Sequence, residues 1–432
     1  VNGRPSDGTI RISGGNSAMT RERSFEAPSR HYDFAVAGGG IGGLSCALAL
    51  ARKDFRVAVL ERAGSFGELG AGIQMGPNAF AALDHLGVGE AARDGAVFID
   101  HLRVMDSLDG ERICSIDVGQ DFRTRFGNPY AVIHRADLHR SILDGCRSSA
   151  NIDLFTDAQV ESFAQNDATV SVRVAGGGNL GARALIGADG LRSVIRAQLL
   201  DDGEPQVSGH VTYRAVLPLE DMPEELRWND MTIWCGPGTH VVHYPLRGWK
   251  LFNLVVTCHA RQTVEAHNEP AEPGEVLPWF SKLCDKPMGL VRTPKEYRRW
   301  VLCDRAASER WTDGRVALLG DAAHPMLQYL AQGACMALED SVSLAESAAL
   351  MPDDIQSALV MYELDRMQRT AAVQLGSRMM GRFYHAIGAE HRFRKQLLGS
   401  MSQAAFRESL AWLYGHDVCR VARASASPGA AS

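Results

Sequence analysis

The feature that most constrains this chain is Gly38-Gly39-Gly40-Ile41-Gly42-Gly43. It sits between a short apolar run, Tyr32 to Ala37, and an alanine- and leucine-rich segment, Leu44 to Arg52. A second apolar run, Arg56 to Leu60, follows. Strand, glycine turn, helix and strand in about 30 residues is a βαβ unit, whose parallel strands need a right-handed crossover. The glycines satisfy G-x-G-x-x-G. Gly38 permits the tight turn, Gly40 lets the backbone approach a pyrophosphate, and Gly43 lets the helix pack on the strand. Ile41 and Gly42 open the helix, whose positive N-terminus suits the phosphates. Glu61 ends the second strand, where a carboxylate can bind a ribose diol, and Arg62 beside it is taken with the same site. The pattern predicts an adenine dinucleotide but does not separate FAD from NAD.

The rest of the chain narrows the classes. With 432 residues, 45% hydrophobic and 22% charged, it has globular composition and room for two or three domains. A net charge of −6 gives no reason to expect nucleic acid. No apolar run approaches the roughly 20 residues that span a bilayer, and the N-terminus lacks a secretory layout. A soluble, cytoplasmic protein is expected. The nine cysteines are scattered and never form Cys-x-x-Cys, so neither a disulfide framework nor a metal site is expected.

Two further turns leave buried strands: Gly187-Ala188-Asp189-Gly190 and Gly320-Asp321-Ala322-Ala323-His324-Pro325. A carboxylate there can accept hydrogen bonds from sugar hydroxyls, or simply cap the next helix. With the glycine fingerprint and His134-Arg135-Ala136-Asp137-Leu138, these segments resemble the single-component FAD-dependent aromatic hydroxylases of the para-hydroxybenzoate hydroxylase type. The resemblance runs from about Tyr32 to Ala386. It implies tightly bound, non-covalent FAD, with Arg135 at the pyrophosphate, Asp189 at the sugar and Asp321 at the ribitol. It also implies a Gly70-Ala71-Gly72 loop beside the isoalloxazine ring. Gln332-Gly333-Ala334 opens a helix whose N-terminal N–H groups, at Gly333 and Ala334, suit the negative charge of a reduced flavin. With only one dinucleotide fingerprint, NADH or NADPH is expected as a transient co-substrate, NADH taken first, with Arg192 and Arg196 as possible helpers.

The expected fold is α/β: a discontinuous Rossmann-like FAD-binding domain with an inserted sheet-rich substrate domain and a helical C-terminal region. The boundaries are a flexible extension (1–30), FAD-binding residues 31–205, a substrate domain (206–300), FAD-binding residues 301–350, C-terminal helices (351–420) and a tail (421–432). The methionines of the helical region, Met367, Met379 and Met380, read as core packing or as part of a homodimer face.

In Thr239 to Arg247, read as a strand, His240, Val242 and Tyr244 share one face, and His243 points to the other. The loop Pro325 to Gly333 leads into the flavin-facing helix and carries Gln328. Taken together, these two segments resemble the branch of the family that converts 3-hydroxybenzoate to gentisate. Branches acting on salicylate or 6-hydroxynicotinate carry other pairs where this loop has Gln328-Tyr329. The chemistry implied is oxygen transfer from a flavin C4a-hydroperoxide to the ring of a small hydroxylated aromatic acid, consuming O2, with no metal. By the same resemblance His240 is the base that takes the phenolic proton, with a pKa near working pH, and Tyr244 and Gln328 orient the ring. His324 and His210 are rival bases. A non-hydroxylating flavin reductase or redox sensor, and a NAD-dependent dehydrogenase, are the readings from other classes.

Overall fold

The computed structural model describes residues 22–26, 28, 31–67, 70–260 and 266–419. Tyr32–Ala37 and Val57–Leu60 are strands buried along almost their whole length, as a parallel sheet covered by helices requires. Phe34 pairs with Val57 on one side and with Ala184 on the other, all in parallel register. Val316–Leu318 joins Gly178–Gly187, also parallel, so a strand from late in the chain completes the first sheet. Ile41–Ala51 is almost wholly buried and packs against Gly333–Leu350. The expected extension lies mostly outside the described residues, but Arg23–Ser24 forms an edge strand on Phe155 and Thr156. The expected tail, 421–432, lies outside them altogether.

A second, eight-stranded sheet holds the strands expected between 206 and 300 and extends to Tyr297–Asp304. It also takes in a hairpin that the sequence reading places with the dinucleotide unit. His101–Asp106 pairs in parallel with Asp230–Gly236, and Arg112–Asp117 forms the outer edge. Alternation along a strand shows which residues share a face but not which sheet the strand will join.

The two faces of this sheet differ. One buries Tyr213, Trp234, Phe252 and Leu254 against Phe280 and Leu290 of the 273–292 segment, in a core of its own. His243 lies on this side, buried, its ring near those of Trp228 and Trp234. The opposite face carries His240, Val242 and Tyr244 and turns toward the first sheet. Ladder partners keep the parity: His240 lies opposite Thr257, Val242 opposite Val255, and Thr212 opposite Thr257. Among the described residues no helix is long and apolar enough to cross a membrane.

Candidate active site

One cavity of about 1300 Å³ runs from the glycine turn to this wall. That exceeds the roughly 300–1,000 Å³ of an ordinary small-ligand site, as a dinucleotide plus a second molecule would need. Gly38, Gly40, Ile41, Gly42, Glu61, Arg62, Gly72, Arg135, Asp189, Asp321, Gly333 and Ala334 border it, as do His240, Tyr244 and Gln328. Gly43 lies behind the turn. A Cβ there would stand 2.0 Å from the Gly38 carbonyl oxygen, so only glycine lets helix and turn meet.

Several of these groups are held by backbone. Glu61 accepts hydrogen bonds from the N–H of Gly39 and of Ala63, each at 2.8 Å, which fixes the carboxylate beside the turn. Asp189 Oδ2 accepts from the N–H of Val194 at 2.8 Å, so it caps the next helix as well as facing the cavity. Its other oxygen is buried and has no hydrogen-bond partner among the described residues. A turn with no room for a Cβ at Gly38 or Gly43, bordered by Asp189 with one carboxylate oxygen lacking a hydrogen-bond partner among the described residues, fits the sugar and phosphates of a dinucleotide.

Three other residues singled out in the sequence, His324, Arg196 and His210, do not line the cavity. His324 Nε2 lies 2.6 Å from Asp340 Oδ2, and both side chains are buried. Asp340 also binds Arg366, which with Arg369 holds Glu339. His324 therefore supports the 320–325 loop and does not border the cavity. Arg196, expected as a helper for the nicotinamide, is buried as well. It binds Asp202 and the carbonyls of Ala322 and Ala323 and does not border the cavity, so it is not placed to meet a co-substrate there. Arg192 does border the cavity. His210 contacts the Tyr329 hydroxyl and stacks on His259 at 4.1 Å, away from the wall centre.

Gln328 joins the two domains. Its amide donates to Thr212 Oγ1 at 2.9 Å and Thr257 Oγ1 at 3.1 Å, and its carbonyl accepts from Arg214 Nη2 at 2.9 Å. Tyr244 meets the dinucleotide unit directly: a Cβ on Gly72 would stand 2.5 Å from its ring, and Gly72 N–H donates to Asn253 Oδ1 at 2.8 Å.

Arg214 escaped the sequence reading. It sits on the same face as Thr212 and faces the cavity, its guanidinium 5.1 Å from the Trp300 ring centroid. Burial, and secondarily Arg135, pushes it down to about 10, so it remains a cation at neutral pH. No carboxylate among the described residues pairs with it, and its Nε has no hydrogen-bond partner among them. The alternation His210-x-Thr212-x-Arg214 in an otherwise apolar strand was the available signal.

Burial pushes the His240 imidazole down to about 3, helped by His210 and His259. That is well below the near-neutral value the sequence reading expects, because the ring is removed from water among other imidazoles rather than beside a carboxylate. At working pH it is neutral, with a lone pair to accept a proton. Burial likewise raises the Tyr244 phenol, which stays protonated and able to donate.

Residues 31–375 match the FAD binding domain family. A 3-hydroxybenzoate 6-hydroxylase of Polaromonas naphthalenivorans (strain CJ2) is 47% identical over 383 residues, covering 89% of this chain and 96% of that protein. One from Klebsiella oxytoca is 47% identical over 390 residues, covering 90% and 98%. Among solved structures, a salicylate hydroxylase substrate complex superposes with a TM-score of 0.77 at 26% identity, covering 93% of this chain and 99% of that one.

Proposed function

The chain belongs to the FAD-binding aromatic hydroxylases, and from that premise we propose that it converts 3-hydroxybenzoate, O2, NAD(P)H and a proton to 2,5-dihydroxybenzoate, water and NAD(P)+. FAD, when bound, supplies the route for electrons from the nicotinamide and the electrophilic oxygen derived from O2. The glycine turn, Glu61, Arg135, Asp189 and Asp321, which border the cavity, are the residues to hold it, and Gly333 and Ala334, at the start of the Gly333–Leu350 helix, would offer it N–H groups.

The observation that carries the substrate reading is the chemistry of that wall. It pairs one neutral imidazole, His240, with one buried cation that has no carboxylate partner, Arg214. A hydroxybenzoate is their complement: the carboxylate meets Arg214 and the phenol meets His240. Taking the phenolic proton makes the ring more nucleophilic at the para carbon, which in 3-hydroxybenzoate is carbon 6. Tyr244 and Gln328 fix the ring between these two points. The apolar Val242, Val255 and Ile233 beside them limit water, which otherwise competes for the activated oxygen.

NADH is proposed ahead of NADPH. A homodimer and a cytoplasmic location belong to the same reading; exposed Leu364, Met379, Ile387 and Phe393 of the C-terminal helices support the dimer. The test is the visible spectrum of the purified protein, then consumption of each donor with and without 3-hydroxybenzoate, with products run against gentisate. Stimulated consumption with gentisate as product is expected. Stimulation by salicylate or 6-hydroxynicotinate alone would move the substrate to a sister branch.

A further inference from the structure

His240 is the inner end of a line of imidazoles. Its Nδ1 lies 2.6 Å from His385 Nε2, and His385 Nδ1 lies 2.7 Å from His259 Nε2. The three come from separate elements: the Thr239–Leu246 strand, the C-terminal cap of the Ile355–Tyr384 helix, and the last residue of the Leu251–His259 strand. His385 is fixed by its own backbone, its N–H bonded to Gly381 and its carbonyl to Gly238. His240 and His385 are buried, and His259 is exposed. The line therefore starts at the cavity and ends in solvent.

Three of the imidazoles here, His210, His259 and His385, are close enough together to suggest a metal site. The spacings along the line argue otherwise. Two imidazole nitrogens on one tetrahedral zinc stand roughly 3.3 Å apart, given bonds of about 2.0–2.1 Å. The gaps of 2.6 and 2.7 Å are those of hydrogen bonds. Two opposite sets of tautomers satisfy both, and one of them leaves His240 able to accept a proton. With the Nδ1 of His240, His385 and His259 protonated, each ring donates outward to the next, and His240 Nε2 keeps its lone pair for the cavity.

We propose that His240, His385 and His259 form a proton relay between the bound phenol and solvent. The inference rests on His240 being the group that takes the phenolic proton. As the substrate O–H bond breaks, an N–H bond forms at His240 Nε2. The Nδ1 proton of His240 passes to His385 Nε2, the Nδ1 proton of His385 passes to His259 Nε2, and the Nδ1 proton of His259 leaves to water. Each ring gains one proton and loses one, so all three stay neutral and the only charge left in the pocket is that of the phenolate. The same steps reversed protonate the product phenolate and restore the starting tautomers.

The surroundings explain why a relay is needed. A phenol ionises near pH 10 (a rough reference value). An imidazole pushed down to about 3 cannot hold the proton it accepts, so the proton must leave as it arrives. The groups facing the line are His210 and Tyr329 on one side, Tyr384 against His240, and Arg394 near His385. They are neutral or cationic at working pH, and none would stabilise an imidazolium.

The test uses the FAD-loaded enzyme and its His240→Asn, His385→Gln and His259→Ala variants. Steady-state rates and solvent isotope effects are measured with and without added imidazole. General-base removal at His240 is expected to cut hydroxylation roughly 10²–10⁴-fold, and loss of the exposed end about tenfold with KM nearly unchanged. Added imidazole should restore His259→Ala, whose gap opens to solvent, but not His385→Gln, and the solvent isotope effect should rise in His259→Ala. A structural role for His259 would give no imidazole rescue. If His259→Ala and His385→Gln keep wild-type rates while His240→Asn fails, the relay is wrong and the base assignment stands. A fully active His240→Asn would overturn the base assignment itself.

Discussion

Replacing Arg214 by methionine removes the charge and its donors while keeping a stem of similar length. In the free enzyme Arg214 donates to Gln328 Oε1 and stacks over Trp300, with its Nε unbonded and no carboxylate paired with it among the described residues. Such a cation gains most from an anionic ligand. Truncating one partner of a buried, hydrogen-bonded charge pair costs about 2–5 kcal/mol, or roughly 30-fold to several-thousand-fold in affinity. The variant also leaves Gln328 Oε1 without its donor, a loss of about 1 kcal/mol that falls on every ligand alike. The two effects separate by titrating the FAD-loaded protein with 3-hydroxybenzoate and with its neutral amide, following the flavin absorbance. Wild type should prefer the carboxylate, and Arg214→Met should lose most of that preference with little change for the amide. Lysine should fall between them, keeping the charge but losing the fork. Equal weakening of both ligands would refute the carboxylate role and assign Arg214 to holding Gln328.

Other outcomes follow from geometry already described. His240→Ala should lose hydroxylation far more than FAD content; equal loss of both, read from activity and flavin absorbance, would count against the base assignment. Gln328→Ala, which unties the loop from Thr212 and Thr257, should raise the fraction of NADH recovered as hydrogen peroxide. Gly43→Ala should purify without flavin colour, since its Cβ would meet the Gly38 carbonyl. Burial raises the Glu339 carboxyl, but Arg366 and Arg369 outweigh it and hold it at about 2. A depressed carboxyl contributes stability that is present above its unfolded value, roughly 4.3, and lost as pH falls toward 2. Acid melting of the wild type should therefore steepen across that window. Arg366→Met leaves Glu339 to Arg369 and Asp340 to His324, each buried carboxylate losing one cationic partner, and should cost about 3–5 kcal/mol, seen as a Tm lower by roughly 6–20 °C at neutral pH.

What could be read in the sequence was local. The glycine turn shows itself because its geometry is set within six residues, and His240 and Tyr244 share a face because strand alternation requires it. Arg214, His385 and His259 could not be assembled that way: His385 lies 145 residues from His240 and meets it only through the packing of the long C-terminal helix. Arg196 read as a helper for the nicotinamide because nothing in its neighbourhood shows that Asp202 and two carbonyls would enclose it. The near-neutral value expected for His240 failed for a related reason, since the burial that depresses it, and the imidazoles that add to it, come from elements distant in sequence.

The hairpin 101–117 has a consequence for how the chain is made. His101–Asp106 waits for Asp230–Gly236, and His101 and Asp230 are 129 residues apart. At about 5–20 residues per second on the ribosome, that is roughly 6–26 s with an apolar strand edge unpaired. Nascent chains and truncations ending between these segments expose that edge to one another. Slow codons after residue 117 lengthen that exposure and should lower soluble recovery without altering the mature enzyme.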